Sequence, residues 1–160
     1  MPNYLALFHS SMLSEVHNRY IASDLITLNE HTAMRGIVLS ERDCTEIAQC
    51  RGNLLVESER IEVGSGAVRR IIEEFCESGY VNQQNFKSVV QDLLECFYTI
   101  KTETEDKVDD ETVLEFLKYI FENDAGGDVS KIYFCDAFEH FINTGRSDGF
   151  IKRPENDYLN

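Results

Sequence analysis

Basic residues are scarce in this chain: 15 lysines and arginines stand against 29 aspartates and glutamates, for a net charge of -14 over 160 residues. A field of that sign repels phosphate backbones, so a broad nucleic-acid-binding face is excluded. No apolar run approaches the roughly 18 residues of a membrane span. Met1-Pro2-Asn3-Tyr4 lacks the basic start and small-residue cleavage site of a secretory signal. The expected setting is therefore the cytoplasm, with no membrane partner. The five cysteines (Cys44, Cys50, Cys76, Cys96, Cys135) are odd in number and scattered, with no Cys-x-x-Cys pair. That pattern writes neither a disulfide framework nor a zinc cage and fits reduced, mostly buried thiols.

Catalytic signatures are missing as well. There is no nucleophile elbow, no Gly-Lys-Ser/Thr phosphate loop and no His-Glu-x-x-His or Glu-x-x-His pair. His9 and His17 lie two turns apart, too far to share a metal as an i, i+4 pair does, and read as core or boundary histidines. No catalytic residue, metal or cofactor is assigned, and an enzyme is the less favoured reading.

What is present is globular composition, 42% hydrophobic and 28% charged. A chain this long buries roughly 70% of its unfolded surface, so one domain is the simplest organisation. Its boundaries are expected at residues 1–145, with 146–160 a polar C-terminal tail containing Pro154. The acidity is uneven. Residues 1–80 hold 7 basic and 12 acidic residues and residues 81–160 hold 8 and 17, whereas residues 35–70 carry six arginines against six acids. A small anion finds its most favourable ground in that neutral stretch.

Apolar residues recur at threes and fours, which predicts a mainly α fold: a single compact bundle of about six helices, with at most one minimal two-stranded element pairing Gly36–Leu39 with Arg60–Val63. The first helix spans about 4–28 through Leu5, Phe8, Met12, Leu13, Val16 and Tyr20, with a candidate break at Ser23-Asp24. Asn29–Arg35 reads as a polar connection. Ser40, with Asp43 three residues on, caps a helix reaching about Glu57. Val68, Ile71, Ile72, Phe75 and Cys76 form the next stripe, with Gly79 placed to stop it. Asn82 and Asp109 cap two further helices, each with a hydrophobic staple, Val81 on Phe86 and Val108 on Val113. Asp128 caps a last helix whose stripe is Phe134, Ala137, Phe138, Phe141 and Ile142, stopped at Gly145.

Three features invite a functional reading. Gly64-Ser65-Gly66 precedes a helix, so backbone N–H groups, the Ser65 hydroxyl and Arg60, Arg69 and Arg70 can receive an anion; the simpler account is a strand-to-helix turn capped by Ser65. Arg51 falls on an apolar stripe between Ala48 and Leu55. Its stem either packs at the core boundary while the head finds water or a carboxylate, or its guanidinium points into a cleft. The helix of Val113 to Phe121 carries an unusually wide apolar face, and Phe116, Tyr119 and Ile120 are its candidate interface residues. Gly79-Tyr80-Val81 and Lys107-Val108-Asp109 echo the centre of calcium loops, but their ligand positions include Cys76, Lys101 and Thr112, and neither has the terminal glutamate.

The chain resembles a family of small, uncharacterised acidic proteins from Gram-positive anaerobic bacteria, a domain of unknown function. The resemblance rests on Asn29-Glu30-x-Thr32, Gly36-x-x-Leu39-Ser40, Arg60-Ile61-Glu62-x-Gly64-x-Gly66, Phe75-Cys76-x-Ser78-x-Tyr80, Phe97-Tyr98 and Asp109-Asp110-Glu111. Members of that family tend to carry an aromatic at the position of Val63 and a third glycine at that of Ser65. The resemblance implies a bacterial protein and brings no activity or cofactor. Two functions are expected: a non-enzymatic interaction or accessory protein that binds a protein partner or itself, as in a homodimer; or a small-anion or nucleotide binder, with an enzyme among its forms, using Ser65, Gly66, Arg60, Arg69 and Arg51.

Overall fold

Helices follow the apolar periodicity throughout the computed structural model, which describes residues 4–146 and side chains from Ser14 onward. Six of them run nine residues or longer: α1 (Tyr4–Ile26), α3 (Glu41–Glu57), α4 (Gly66–Phe75), α5 (Phe86–Glu103), α6 (Asp110–Asn123) and α8 (Asp136–Thr144). Two are single turns, α2 (Asn29–Thr32) and α7 (Val129–Ile132), and a 3-10 turn at Ala33–Arg35 follows α2. The mainly α reading and the number of long helices agree with the periodicity. The expected side-chain stripe from Leu5 to Leu13, together with His9 and the tail beyond Arg146, lies outside the described residues.

The chain divides after Tyr98, within α5, into two compact units. In the first, α1 packs along α3. It buries Ile21 and Leu25 from α1 together with Cys44, Ile47, Ala48 and Leu55 from α3, while Val68, Ile71, Ile72 and Phe75 form the buried face of α4. α1 passes through Ser23-Asp24 without a break. The stretch from Asn29 to Arg35, expected as a connection, is instead α2 and the 3-10 turn, closed by Gly36 in the left-handed region at φ 79°. Burial of Leu28 and Thr32, one turn apart, explains why this polar stretch coils. α3 starts on a full capping box: Ser40 Oγ accepts from the Asp43 N–H and Asp43 Oδ2 from the Ser40 N–H, both at 3.0 Å. α4 stops at Phe75, short of Gly79, and Asn82 and Asn85 exchange hydrogen bonds just before α5.

No strand occurs among the described residues, and the expected pairing of Gly36–Leu39 with Arg60–Val63 is corrected on that point. Two carboxamides take the place of a neighbouring strand. Asn29 donates to the Leu39 carbonyl and accepts from its N–H, both at 2.8 Å. Gln83 does the same for Val38, at 2.8 and 2.6 Å. A side-chain amide presents the same donor and acceptor as a peptide group, so these backbone groups are satisfied without a sheet.

In the second unit Phe116 of α6 stacks on Phe141 of α8, with ring centroids 4.1 Å apart. Asp109 caps α6 by accepting from the Thr112 N–H at 2.8 Å, and Lys101 Nζ donates to the Val108 carbonyl at 2.7 Å. The single last helix expected from Asp128 to Gly145 is two, α7 and α8, separated at Tyr133–Cys135. Phe134 is 88% exposed rather than part of the stripe. Ile132 is fully buried at the end of α7, and the chain turns before α8 presents Ala137 and Phe141 inward.

Candidate functional site

The stripe of α3 that buries Cys44, Ile47 and Ala48 carries Arg51 inward one turn later, and Arg51 is 0% exposed. A buried cation must be neutralised and hydrogen-bonded. Arg51 Nη2 donates to the carbonyls of Glu62 at 3.3 Å and Gly64 at 2.5 Å, and lies 3.5 Å from Glu62 Oε1. The other oxygen of Glu62 accepts from the Tyr98 hydroxyl at 2.7 Å, and Oε1 faces the Ala67 N–H at 3.4 Å, at the start of α4. Gly66 lies so close to this carboxylate that a Cβ there would collide with it.

Turning Glu62 inward decides its neighbours. Successive side chains of an extended segment point to opposite sides. Ile61 and Val63 are therefore 96% and 92% exposed. With Val56, also exposed, they border a cavity of about 630 Å³ whose other walls come from His17 and Asn18 of α1 and from Arg51 and Arg60. Arg51 Nε and Nη1 are buried and have no hydrogen-bond partner among the described residues.

The residues expected to hold an anion are spread over separate contacts. Arg51 joins Glu62. Ser65 donates its hydroxyl to Asp24 Oδ2 and makes no cap bond to α4; Arg69 pairs with Asp24 at 3.2 Å and with Glu73 at 3.1 Å. Arg60 lines the cavity, and Arg70 pairs with Glu74 at 2.8 Å. Around the α4 N-terminus the chain's own carboxylates, Glu62 and Asp24, stand where an external anion would. Of the expected interface residues, Phe116 and Ile120 are buried and Tyr119 is half-buried. Glu62 and Asp24, and the hydroxyl of Tyr98, are the partners that sequence reasoning did not assign. For Glu62 one physical signal was there, since Arg51 on an apolar stripe demands a carboxylate from somewhere; for Asp24, which pairs with Arg69 and Ser65, nothing local pointed to it.

The cysteines are free, and burial pushes the Cys44 thiol up to about 11 and raises Cys50 and Cys76. Thiols shifted this way are poor nucleophiles. Among the described residues no group of three His, Cys, Asp or Glu side chains is placed to hold a metal ion, and no helix is long and apolar enough to cross a membrane.

No curated protein and no solved structure matches the chain. A family of unknown function, DUF6323, matches residues 24–148, a stretch that contains Asp24, Arg51, Glu62, Ser65 and Tyr98. By that match over most of its length, the chain belongs to the DUF6323 family, to which no function is assigned.

Proposed function

We propose that the protein is a non-enzymatic interaction protein of the bacterial cytoplasm, and that it meets a protein partner through the ridge of Val56, Ile61 and Val63. The observation that carries this reading is the near-complete exposure of Ile61 and Val63 beside a cavity, in a segment whose polar residue is the one turned inward. Adjacent exposed aliphatic side chains bordering a cavity are the kind of surface that association covers. The expected dimer face of α6 is replaced in this reading, because Phe116 and Ile120 are spent on burial.

A photo-crosslinking amino acid at Ile61 tests it in cells. The expected result is a discrete protein adduct that disappears when Val63→Asp is added and is not formed from Met34, which is also exposed. Adducts that are the same from Ile61 and Met34, or that survive Val63→Asp, overturn the reading.

A further inference from the structure

We infer that residues 61–64 form a hinged strap that lifts as a unit, while the helices around it stay folded, and so uncovers the guanidinium of Arg51. The inference goes beyond the docking ridge and needs no bound partner.

Among the described residues, the hydrogen bonds and the ion pair of Arg51 all come from this strap. Its Nη2 donates to the carbonyls of Glu62 and Gly64 and pairs with Glu62 Oε1. Apolar burial does little to hold the strap in return. Ile61 and Val63 are almost fully exposed, whereas the flanks are anchored by Leu55, Ala67 and Val68, all buried. The inward contacts are polar, from Glu62 to Arg51, to the Tyr98 hydroxyl and to the Ala67 N–H. Water replaces such contacts when the strap lifts, so the net cost of losing them is modest. Lifting also brings water to Arg51 Nε and Nη1, which are buried and unmet among the described residues. Buried donors without acceptors are costly, and opening relieves that cost.

The strap has a fixed post at one end and a pivot at the other. The Arg60 N–H bonds back to the Leu55 carbonyl at 2.8 Å, just after Glu59 in the left-handed region. Gly64 lies at φ 82° and Gly66 at φ 34°, and a Cβ on Gly64 would meet nothing within 4 Å. Glycine takes either sign of φ, so rotation there is cheap. Between the two glycines, Ser65 is tied to Asp24 through its hydroxyl. Segments with few buried apolar contacts open well below the free energy of global unfolding.

The test uses the full chain under native conditions and two chemical probes on α3, read by mass spectrometry at low extents of modification. Phenylglyoxal reports Arg51, and an alkylating reagent reports Cys44, which is 1% exposed and reacts when the core opens. Each rate is divided by that of the urea-unfolded chain. Arg51 is expected to react at least about a hundred-fold faster than Cys44 on this scale. Dilute urea is expected to leave the Arg51 rate nearly unchanged and to accelerate Cys44 steeply, because urea sensitivity follows the surface exposed on opening. Glu62→Gln raises the Arg51 rate about a hundred-fold. Gly64→Ala, strained at φ 82° without a clash, raises it about ten-fold. Ile47→Val, a change in the core, speeds Cys44 about five-fold and leaves Arg51 as it was. If Arg51 and Cys44 react in step with the same urea dependence, the segment comes away only on global unfolding and the inference is overturned. An Arg51 rate that neither Glu62→Gln nor Gly64→Ala raises also overturns it, since the strap is then not what shields the guanidinium. Neither result touches the docking ridge, which the adducts from Ile61 test separately.

Discussion

Arg51 and Glu62 share one problem of burial, and each residue's position is explained by the other. Arg51 is 0% exposed, and Glu62 reaches it at 3.5 Å while keeping its second oxygen on Tyr98. Removing one partner of such a pair leaves an uncompensated buried charge, which costs about 3 kcal/mol, whereas replacing both with apolar groups is often nearly neutral. Glu62→Gln is therefore expected to lower the urea-unfolding free energy by about 3 kcal/mol. Arg51→Met combined with Glu62→Leu is expected to recover most of that loss. Equal stability of Glu62→Gln and the natural protein would show that the pair is not what holds the segment. The inward side of Arg60–Val63 was not legible in the sequence. Alternation says only that Glu62 and its two neighbours face opposite ways, and ordinary hydropathy puts the valine and isoleucine inside.

At the scale of elements, starts were easier to read than stops. Ser40, Asp109 and Asp128 each accept a backbone N–H of the first turn, as their side-chain chemistry requires. The ends of α3 and α5 carry no glycine signal. In each, a glutamate sits in the left-handed region, Glu59 at φ 55° and Glu105 at φ 53°. The following N–H closes a 6→1 bond, Arg60 to the Leu55 carbonyl at 2.8 Å and Asp106 to that of Lys101 at 2.9 Å. Gly79, the residue that looked like a stop, stops nothing. The strand-like segment Gly36–Leu39 is held by side chains from elsewhere, a device that no local pattern announces. Asn29→Ala strands both polar groups of Leu39 in a part-buried place and is expected to cost about 2 kcal/mol. Gln83→Ala, in an exposed place, is expected to cost less than about 1 kcal/mol. Thermal melts of the two variants check the order; the reverse order would mean that the Val38 bridge is the important one.

For the whole molecule, charge sets the response to pH. Hydrogen bonds from Lys87 and Arg42 hold the Glu46 carboxyl below its usual value, the backbone N–H of Thr112 does so for Asp109, and Ser130 for Asp128. A carboxyl depressed by folding stabilises the fold above its unfolded value, and that gain is lost as pH falls through the folded one. From neutral pH downward, the self-repulsion of a chain at -14 relaxes first. Stability is thus expected to peak near about pH 5 and to fall below about pH 4, in urea titrations across that range. A stability that keeps rising below pH 4 would rule out these carboxyls as contributors.

Local physics, periodicity at 3.6 residues and side-chain caps, made the six long helices and most of their buried faces legible, but not the single turns α2 and α7 or the exposure of Val16, Tyr20 and Phe134. The sequence also fixes the net charge of -14. Which side of Arg60–Val63 faces in was a matter for the tertiary fold, since it depends on Arg51 from one helix, Tyr98 from another and the Ala67 N–H of α4 arriving at the Glu62 carboxylate. The tertiary fold also decided that Asn29 and Gln83 stand in for a strand, because a backbone group is satisfied by whatever donor or acceptor the fold brings within reach.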